Sequence, residues 1–391
     1  MIKFDELDEL FDDIYIEQDE VVFYLDLYSV ICRCYQNRFA ESIEHCTDQL
    51  LITDFVIGIL NVLAHYRKYT TTRLRKKSSI VVTFDTKLTK YQKNLYPKFR
   101  WDRIPMMDTD DPLYGHLNKI VREAYKYLQS ICVYFEGIYV IDYNIGVDSL
   151  TIVAMLRNTE RFKNCYHVIF NRNMQGTQLI SHDTCILFHR KEHTKLLTEK
   201  NCLTDGLLWK ARESSKKKYA KQISPSMIPF IAMMGGCIHV LQPLKGVNCS
   251  VTSAVRIVYD LLQEKQITRG VSLQSFLEAL EKYKIDKKSK KRKKDLDDIL
   301  QEDISEIFFD KEHYNAMIDR YRVFSIPLNC LAATKDQILK VYQSLIDVYD
   351  QNYLEKINDM LSHIGDDERL ISLDVLNGNT PYTDEDYSDW W

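Results

Sequence analysis

The sequence predicts an α/β fold, with a mostly parallel sheet flanked by helices, followed by a smaller helical domain. Short apolar segments alternate with helical patterns up to about residue 171, which is typical of parallel strands joined by helices. The strand-like segments are nearly continuous apolar runs, as expected for strands covered on both faces. From about residue 223 the strand pattern gives way to helical periodicity.

The sheet elements follow one another in a regular order. Strands are predicted at 21–26, 79–85, 138–142 and 165–171, and helices between them reach about residue 67, span about 112–132 and begin near 148. The first two strands close on Asp26 and Asp85. Because ligands of such sheets gather at the carboxyl ends of the strands, these aspartates are candidate site residues.

The remainder of the chain is predicted to be helical. Two helices joined by a glycine-containing loop span 223–262, residues 283–294 contain a Lys/Arg run, and an amphipathic helix pair spans 335–365. The predicted domains are therefore a sheet domain (1–220), a helical domain (221–350) with a basic loop at 284–294, and a C-terminal helix with an acidic aromatic tail (351–391).

Composition limits the possible partners and location. The net charge of −4 predicts that any nucleic-acid binding comes from a local basic face. The ten cysteines form no CxxC pair, which is typical of reduced thiols in a cytoplasmic protein. The acidic amphipathic N-terminus does not read as a signal peptide, and we expect no membrane span.

One segment carries a specific motif. Residues 84–103, FDTKLTKYQKNLYPKFRWDR, resemble the "FD … FR..LYP.YK..R" signature of the phage-type 5′ flap endonuclease/exonuclease (phage RNase H-like) family. Asp85 takes the place of a metal-binding aspartate, Arg100 and Arg103 take those of the lysine and final arginine, and Gln92 replaces an earlier arginine. The strand ending in Asp26 is similar to the family's opening strand.

Two further segments resemble the same family in the same order. Residues 223–262 are similar to its helix–three-turn–helix element, and RYRVFSIPL at 320–328 is similar to its closing "LIDF..IP" segment. The resemblance therefore implies a PIN-like (FEN-type) core plus a helix–three-turn–helix domain. It also implies a nuclease that uses two divalent ions, held by a dense carboxylate cluster.

Most of the family's metal ligands are replaced in this sequence. Matched by position, the resemblance leaves Asp26, Asp85 and Asp148 as vestigial catalytic and metal residues. Asn173 and Gln175 stand where the family has a "DxD" pair, and Gly236 and His239 stand where it has two more aspartates. We therefore expect no required cofactor and at most one weakly bound Mg²⁺. The alternative is that Asp142, His182 or Asp183 supplies a missing ligand.

Cationic and aromatic side chains make up the candidate DNA-binding set, because cations contact phosphates and aromatic rings stack on unpaired bases. Its members are Lys90, Lys93, Tyr96, Lys98, Arg100, Arg103, Lys245, Ser250 and Thr252. The candidate partner-binding residues are Trp390 and Trp391 of the acidic tail, since exposed tryptophans are strong anchors. The competing interpretation is a tail that folds back on its own domain. The HRKEH segment at 189–193 is interpreted as solvated surface.

The favoured function is a catalytically inactive or severely impaired flap-endonuclease homologue. It would serve as a scaffold that binds flap, branched or single-stranded DNA, or protein partners, without contacting membranes. The family pattern suggests a bacteriophage or other viral protein of DNA replication, located in the host cytoplasm or associated with the virion. Two alternatives remain: an active metal-dependent 5′ nuclease with rearranged ligands, and a purely structural viral protein.

Overall fold

The structure is a computed structural model, and it describes most of the chain from residue 2 to residue 345. The described ranges are 2–27, 47–84, 88–97, 99, 112–170, 174–190, 193–207, 219, 223–237, 240–242, 244–245, 247, 249–289 and 309–345. Within these ranges, the description of residues 112–114, 117, 189, 190, 193, 207 and 284–289 covers the backbone alone. Among the predicted site residues, Asp85, Lys98, Arg100, Arg103, Asn173, His239, Trp390 and Trp391 lie outside the described residues.

A six-stranded sheet forms the centre of the protein, in the spatial order β3-β2-β1-β4-β5-β6. The first five strands are mutually parallel, and only β6 runs antiparallel to its neighbour. The strands are β1 Glu20–Asp26, β2 Lys77–Thr83, β3 Ile138–Val140, β4 Tyr166–Phe170, β5 Thr184–Arg190 and β6 His193–Leu197. The predicted fold class is confirmed, and the four predicted strands lie within two residues of their expected bounds.

Helices surround the sheet and make up the C-terminal half of the described chain. They are α1 Phe4–Phe11, α2 Asp48–Lys68, α3 Lys90–Leu95, α4 Pro112–Cys132, α5 Ser149–Leu156, α6 Ile228–Gly235, α7 Val251–Gln263, α8 Leu273–Ser289, α9 Lys311–Phe324, α10 Ile326–Ala332 and α11 Lys335–Gln343. Short 3-10 or π-helical turns lie at 69–73, 143–145, 174–179, 202–207 and 225–227.

The two faces of the sheet bury different halves of the protein. Because successive strand residues point to opposite faces, Val21, Phe23 and Leu25 of β1 pack with α1, α2 and α4. Val22 and Tyr24 pack on the other face with α5 through α9. This second core runs without interruption past residue 220, so burial does not mark the predicted domain boundary, which stays a prediction.

The strands β5 and β6 form a hairpin that the sequence did not predict. His189 pairs with Thr194 and Arg190 with His193 across it. The two histidines of the HRKEH segment therefore lie in paired strands, His189 in β5 and His193 in β6, and residues 191–192 lie outside the described residues. Polar residues tolerate this position because the edge of a sheet is open to solvent on one side.

The basic run begins inside a helix. Helix α8 continues through Ser289, so the first part of the predicted basic loop at 284–294 is helical, while the remainder lies outside the described residues. No proline or glycine interrupts the segment, and its residues are good helix formers. The first helix of the predicted 335–365 pair is α11. The segment predicted to form the second helix lies outside the described residues.

One helical segment is strongly apolar. Asp48–Arg73 is long and apolar enough to cross a membrane by length and composition alone, with a mean hydropathy of 1.4. However, 78% of that apolar stretch is buried within the protein, as in the core helix of a globular fold. We therefore assign α2 to the core beneath β1 and β2.

Candidate functional site

The carboxyl edge of the sheet carries the first predicted site residue. Asp26 is the last residue of β1 and is buried, lying opposite Thr83 of β2 in the parallel register. Since β1 is flanked by β2 and β4, this aspartate lies near the middle of the edge. Its predicted place at a strand end is confirmed, whereas its role as a metal ligand stays a prediction.

Asp148 begins helix α5 and is fully engaged by hydrogen bonds. It follows a turn at Gly146, whose positive φ of 75° favours glycine. Its Oδ1 accepts from the backbone N–H of Thr151 at 3.2 Å, and its Oδ2 accepts from the Thr151 hydroxyl at 2.6 Å. An aspartate in this position satisfies free N–H groups of the first helical turn. Asp148 therefore acts as a helix cap.

The same carboxylate accepts a hydrogen bond from a distant segment. Gln92 in α3 donates from Nε2 to Oδ2 of Asp148 at 3.0 Å, and both side chains are buried. Gln92 also closes a capping box with Thr89 at the start of α3. The residue that stands where the resemblance has an arginine thus ties α3 to α5.

Two glutamines after β4 hold the junction between α9 and α10. Gln175 and Gln178 each donate from Nε2 to the Phe324 carbonyl at 2.9 Å. The Oε1 of Gln178 accepts from the backbone N–H of Ile326 at 3.2 Å. Gln175, which stands where the resemblance has a metal-binding aspartate, is therefore buried against a main-chain carbonyl.

The glycine pair Gly235-Gly236 lies at the end of α6, within the segment that resembles a helix–three-turn–helix element. A Cβ on Gly235 would lie 2.7 Å from the Ser250 carbonyl oxygen and 2.8 Å from Cα of Val251. Gly236 ends α6 with a φ of 81°. Gly235 therefore lets the end of α6 approach the start of α7 closely. Gly236, which stands where the resemblance has a carboxylate, follows this contact and has a positive φ that favours glycine.

The alternative metal ligands proposed from sequence are Asp142, His182 and Asp183: the two aspartates make local hydrogen bonds, and two of the three residues lie far from Asp26. Asp142 accepts from the backbone N–H of Asn144 at 2.9 Å and caps a short 3-10 turn. Asp183 accepts from the hydroxyls of Ser181 and Thr184 at 2.5 and 2.9 Å. Because β5 is parallel to β4, the residues preceding β5 lie at the amino edge of the sheet. His182 and Asp183 are therefore at the wrong edge to join Asp26.

The described residues do not fit a two-ion centre. Within the described ranges, no group of three or more His, Cys, Asp and Glu side chains is arranged to hold a metal ion. The Asp148 carboxylate faces N–H and O–H donors, and the Gln175 amide faces a carbonyl. Two hard cations need several anionic oxygens. The predicted single weak site depends on Asp85 and Asn173, which lie outside the described residues.

The described members of the predicted DNA-binding set lie in two places on one side of the sheet. Lys90 and Lys93 are exposed on α3, and Lys245 is exposed in the loop between α6 and α7. Tyr96 is partly buried and packs on the core. Ser250 caps α7 by accepting from the Ser253 backbone N–H at 3.1 Å, and Thr252 lies in its first turn.

A buried arginine that the sequence reading did not single out connects these two places. Arg320 of α9 donates from Nε to the Met233 carbonyl at 2.8 Å and from Nη2 to the Gln242 carbonyl at 2.7 Å. Its Nη1 lies 3.4 Å from the Tyr96 hydroxyl. Arg320 opens the RYRVFSIPL segment named above, but an arginine on a helix rich in charged residues is expected at the surface, so its burial was not predicted.

No protein-family model matches the chain, and no curated protein matches it. Some solved structures are similar to it at low identity. A bacteriophage T5 flap endonuclease pseudo-enzyme–product complex with DNA and metal ions is 8% identical, with a TM-score of 0.47 over 88% of this chain and 99% of that one. The catalytic core of Rad2 in complex with DNA substrate is 11% identical, with a TM-score of 0.48 over 100% of this chain and 94% of that one. These likenesses concern the fold alone.

Proposed function

We propose that this chain is a DNA-binding protein on a flap-endonuclease-type fold in which the two-ion catalytic centre has been replaced by structural hydrogen bonds. The observation that carries the proposal is that residues at the positions of the family's metal ligands make structural hydrogen bonds. Asp148 caps α5 and accepts from Gln92, while Gln175 binds the Phe324 carbonyl. Side chains held in this way support the fold rather than a pair of cations.

The loss of catalysis follows from electrostatics. In such centres the ions activate water and stabilise the leaving oxygen. These effects stabilise the transition state by several kcal/mol. Amide and glycine positions supply no anionic oxygen for the second ion. We therefore propose that phosphodiester hydrolysis is lost or reduced by many orders of magnitude.

DNA binding is supported by the exposed cations on the face of the sheet opposite α1. The acidic helix α1, with Asp5, Glu6 and Glu9 exposed, packs on the face that also carries α2 and α4. Helix α3 and the Lys245 loop adjoin the core on the opposite face. Lys90, Lys93 and Lys245 are exposed on this face and available to phosphates, although the net charge of the chain is −4.

The test pairs cleavage with binding on a labelled 5′-flap DNA. The protein is incubated with Mg²⁺ or Mn²⁺ for cleavage and with Ca²⁺ for binding. We expect binding without cleavage, with weaker binding in a Lys90→Ala/Lys93→Ala double variant and a smaller salt dependence. Glu6→Ala on the opposite face is the matched control and should bind as the wild type does.

Other results would redirect the assignment. Cleavage that disappears in Asp26→Ala or Asp85→Ala would overturn the proposal in favour of an active nuclease with rearranged ligands. Absence of both binding and cleavage would point instead to a structural or protein-binding role. Docking of a protein partner by Trp390 and Trp391 stays a prediction, as do a viral source and cytoplasmic or virion location.

A further inference from the structure

Arg320 is a buried charge that the proposed function does not use. Its side chain is 1% exposed, and the burial lowers the pKa of its guanidinium from the usual value. Arginine nevertheless keeps its proton in proteins. Its hydrogen-bond partners in the described structure are the carbonyls of Ala232, Met233 and Gln242 and the hydroxyl of Tyr96. Through these hydrogen bonds Arg320 joins α6, the loop that follows it and Tyr96.

The carbonyl partners explain how the charge is tolerated. Ala232 and Met233 lie in the last turn of α6, at the partially negative end of the helix dipole, and the Ala232 carbonyl also accepts from the backbone N–H of Gly236. Gln242 lies in the loop that follows α6. The planar guanidinium donates to these groups from separate N–H bonds, a geometry that an ammonium group cannot reproduce. Arg320 therefore fixes the loop relative to the end of α6.

His313 holds the same loop from the same helix. It lies seven residues before Arg320, which is two turns of α9 and hence the same face. Its Nε2 lies 3.2 Å from the Lys245 carbonyl oxygen. The backbone of Lys245 is thus attached to α9 at its own carbonyl and, three residues earlier, at Gln242.

The fourth contact of Arg320 reaches the other cationic element. Tyr96 directly follows α3, and the guanidinium carbon lies 5.9 Å from the centre of its ring. Exposed Lys93 is three residues before Tyr96. One side chain therefore contacts both the segment that carries Lys93 and the loop that carries Lys245.

We propose that Arg320, with His313, is a positioning residue that sets the separation between the α3 cations and the Lys245 loop, so that one DNA molecule contacts both. This inference rests on the DNA-binding function proposed above. Two contacts on one ligand reinforce each other only when their spacing matches it. Weakening the hydrogen bonds of Arg320 would remove that reinforcement, while the α3 cations and the Lys245 loop could each still contact DNA separately.

The experiment measures dissociation constants for three labelled DNAs: a duplex, a single strand, and the same duplex carrying that strand as a 5′ tail. Wild-type protein should bind the tailed duplex at least about tenfold more tightly than either component. In Arg320→Lys this advantage should fall to less than about threefold, with the component affinities nearly unchanged. Arg157→Lys is the matched control, because Arg157 is a partly buried arginine that bonds a carbonyl elsewhere, that of Leu179.

The possible outcomes separate the two proposals. An advantage retained in Arg320→Lys, or an equal loss for all three DNAs, would overturn the positioning role, since misfolding lowers every affinity alike. A wild type that binds none of the DNAs would overturn the DNA-binding function itself. If Arg320→Lys does not fold, His313→Ala tests the same loop from its more accessible end, and an unreduced advantage there would overturn the inference.

Discussion

The side-chain amide of Gln92 donates a 3.0 Å hydrogen bond to the carboxylate of Asp148, joining two segments 56 residues apart in sequence. This contact places a potential metal ligand inside a network of donors. It also fixes α3, with Lys90 and Lys93, to the start of α5. The role of Asp148 in folding can therefore be tested separately from any role in metal binding.

We expect Asp148→Ala to lower the free energy of unfolding by about 2–3 kcal/mol. Loss of a helix cap costs about 1 kcal/mol, and leaving the buried amide of Gln92 without its acceptor adds a similar amount. Urea denaturation measures the change. Asp142→Ala is the control, because that aspartate caps a short turn at a more exposed position and should cost less. Equal losses in the two variants would contradict the central role of Asp148.

Replacement of Gln175 probes the amide facing Phe324. Gln175→Glu keeps the shape but sets a carboxylate against a carbonyl in a buried site, so it should destabilise the protein more than Gln175→Met at neutral pH. The difference between the variants should shrink on acidification, because the introduced carboxyl becomes protonated and donates to the carbonyl. Thermal denaturation at several pH values measures it. A pH-independent difference would argue against this arrangement.

His167 gives stability a defined pH dependence. Burial lowers its pKa to about 4, outweighing the nearby Asp183 carboxylate, and the Tyr24 hydroxyl lies 3.2 Å from its Nδ1. An unfolded histidine has a pKa near 6.5. Below that value the unfolded chain binds a proton that the folded protein excludes, so stability is fully present above about pH 6.5.

As the pH falls from about 6.5 towards 4, this single group should reduce the free energy of unfolding by about 3 kcal/mol. Urea titrations across that range, compared between the wild type and His167→Gln, measure its share. The variant should be less stable at neutral pH but show a shallower decline. An identical slope in both proteins would mean that His167 titrates normally.

Gly235 sets how closely α6 and α7 approach. Gly235→Ala should lower the free energy of unfolding by about 1–3 kcal/mol, because its Cβ would meet backbone atoms of Ser250 and Val251 that cannot move independently. Gly270→Ala is the control, since nothing lies within 4 Å of the added Cβ. Chemical denaturation of both variants tests the contact. Comparable stabilities would show that the helices separate at little cost.

Strand positions were largely predictable, whereas the β5–β6 hairpin was not. The apolar run ending in Asp26 identifies a buried strand because both faces of its sheet are covered. The residues around His189 alternate less clearly, since an edge hairpin carries polar side chains. Sequence also suggested Asp148 as a remnant of a metal site, but could not show that Gln92 and Thr151 bind it. Its function as a helix cap emerges only with those neighbours in place.

The sequence by itself determined the order of strands and helices and the position of Asp26 at a carboxyl end, because periodicity and chain direction are local properties. Tertiary structure alone decided which polar groups meet. The Gln175 amide and the Phe324 carbonyl are 149 residues apart, and Arg320 is buried only because α6, its following loop and Tyr96 converge on it. Such partners depend on how distant helices pack, and a buried donor must find an acceptor wherever that packing places one.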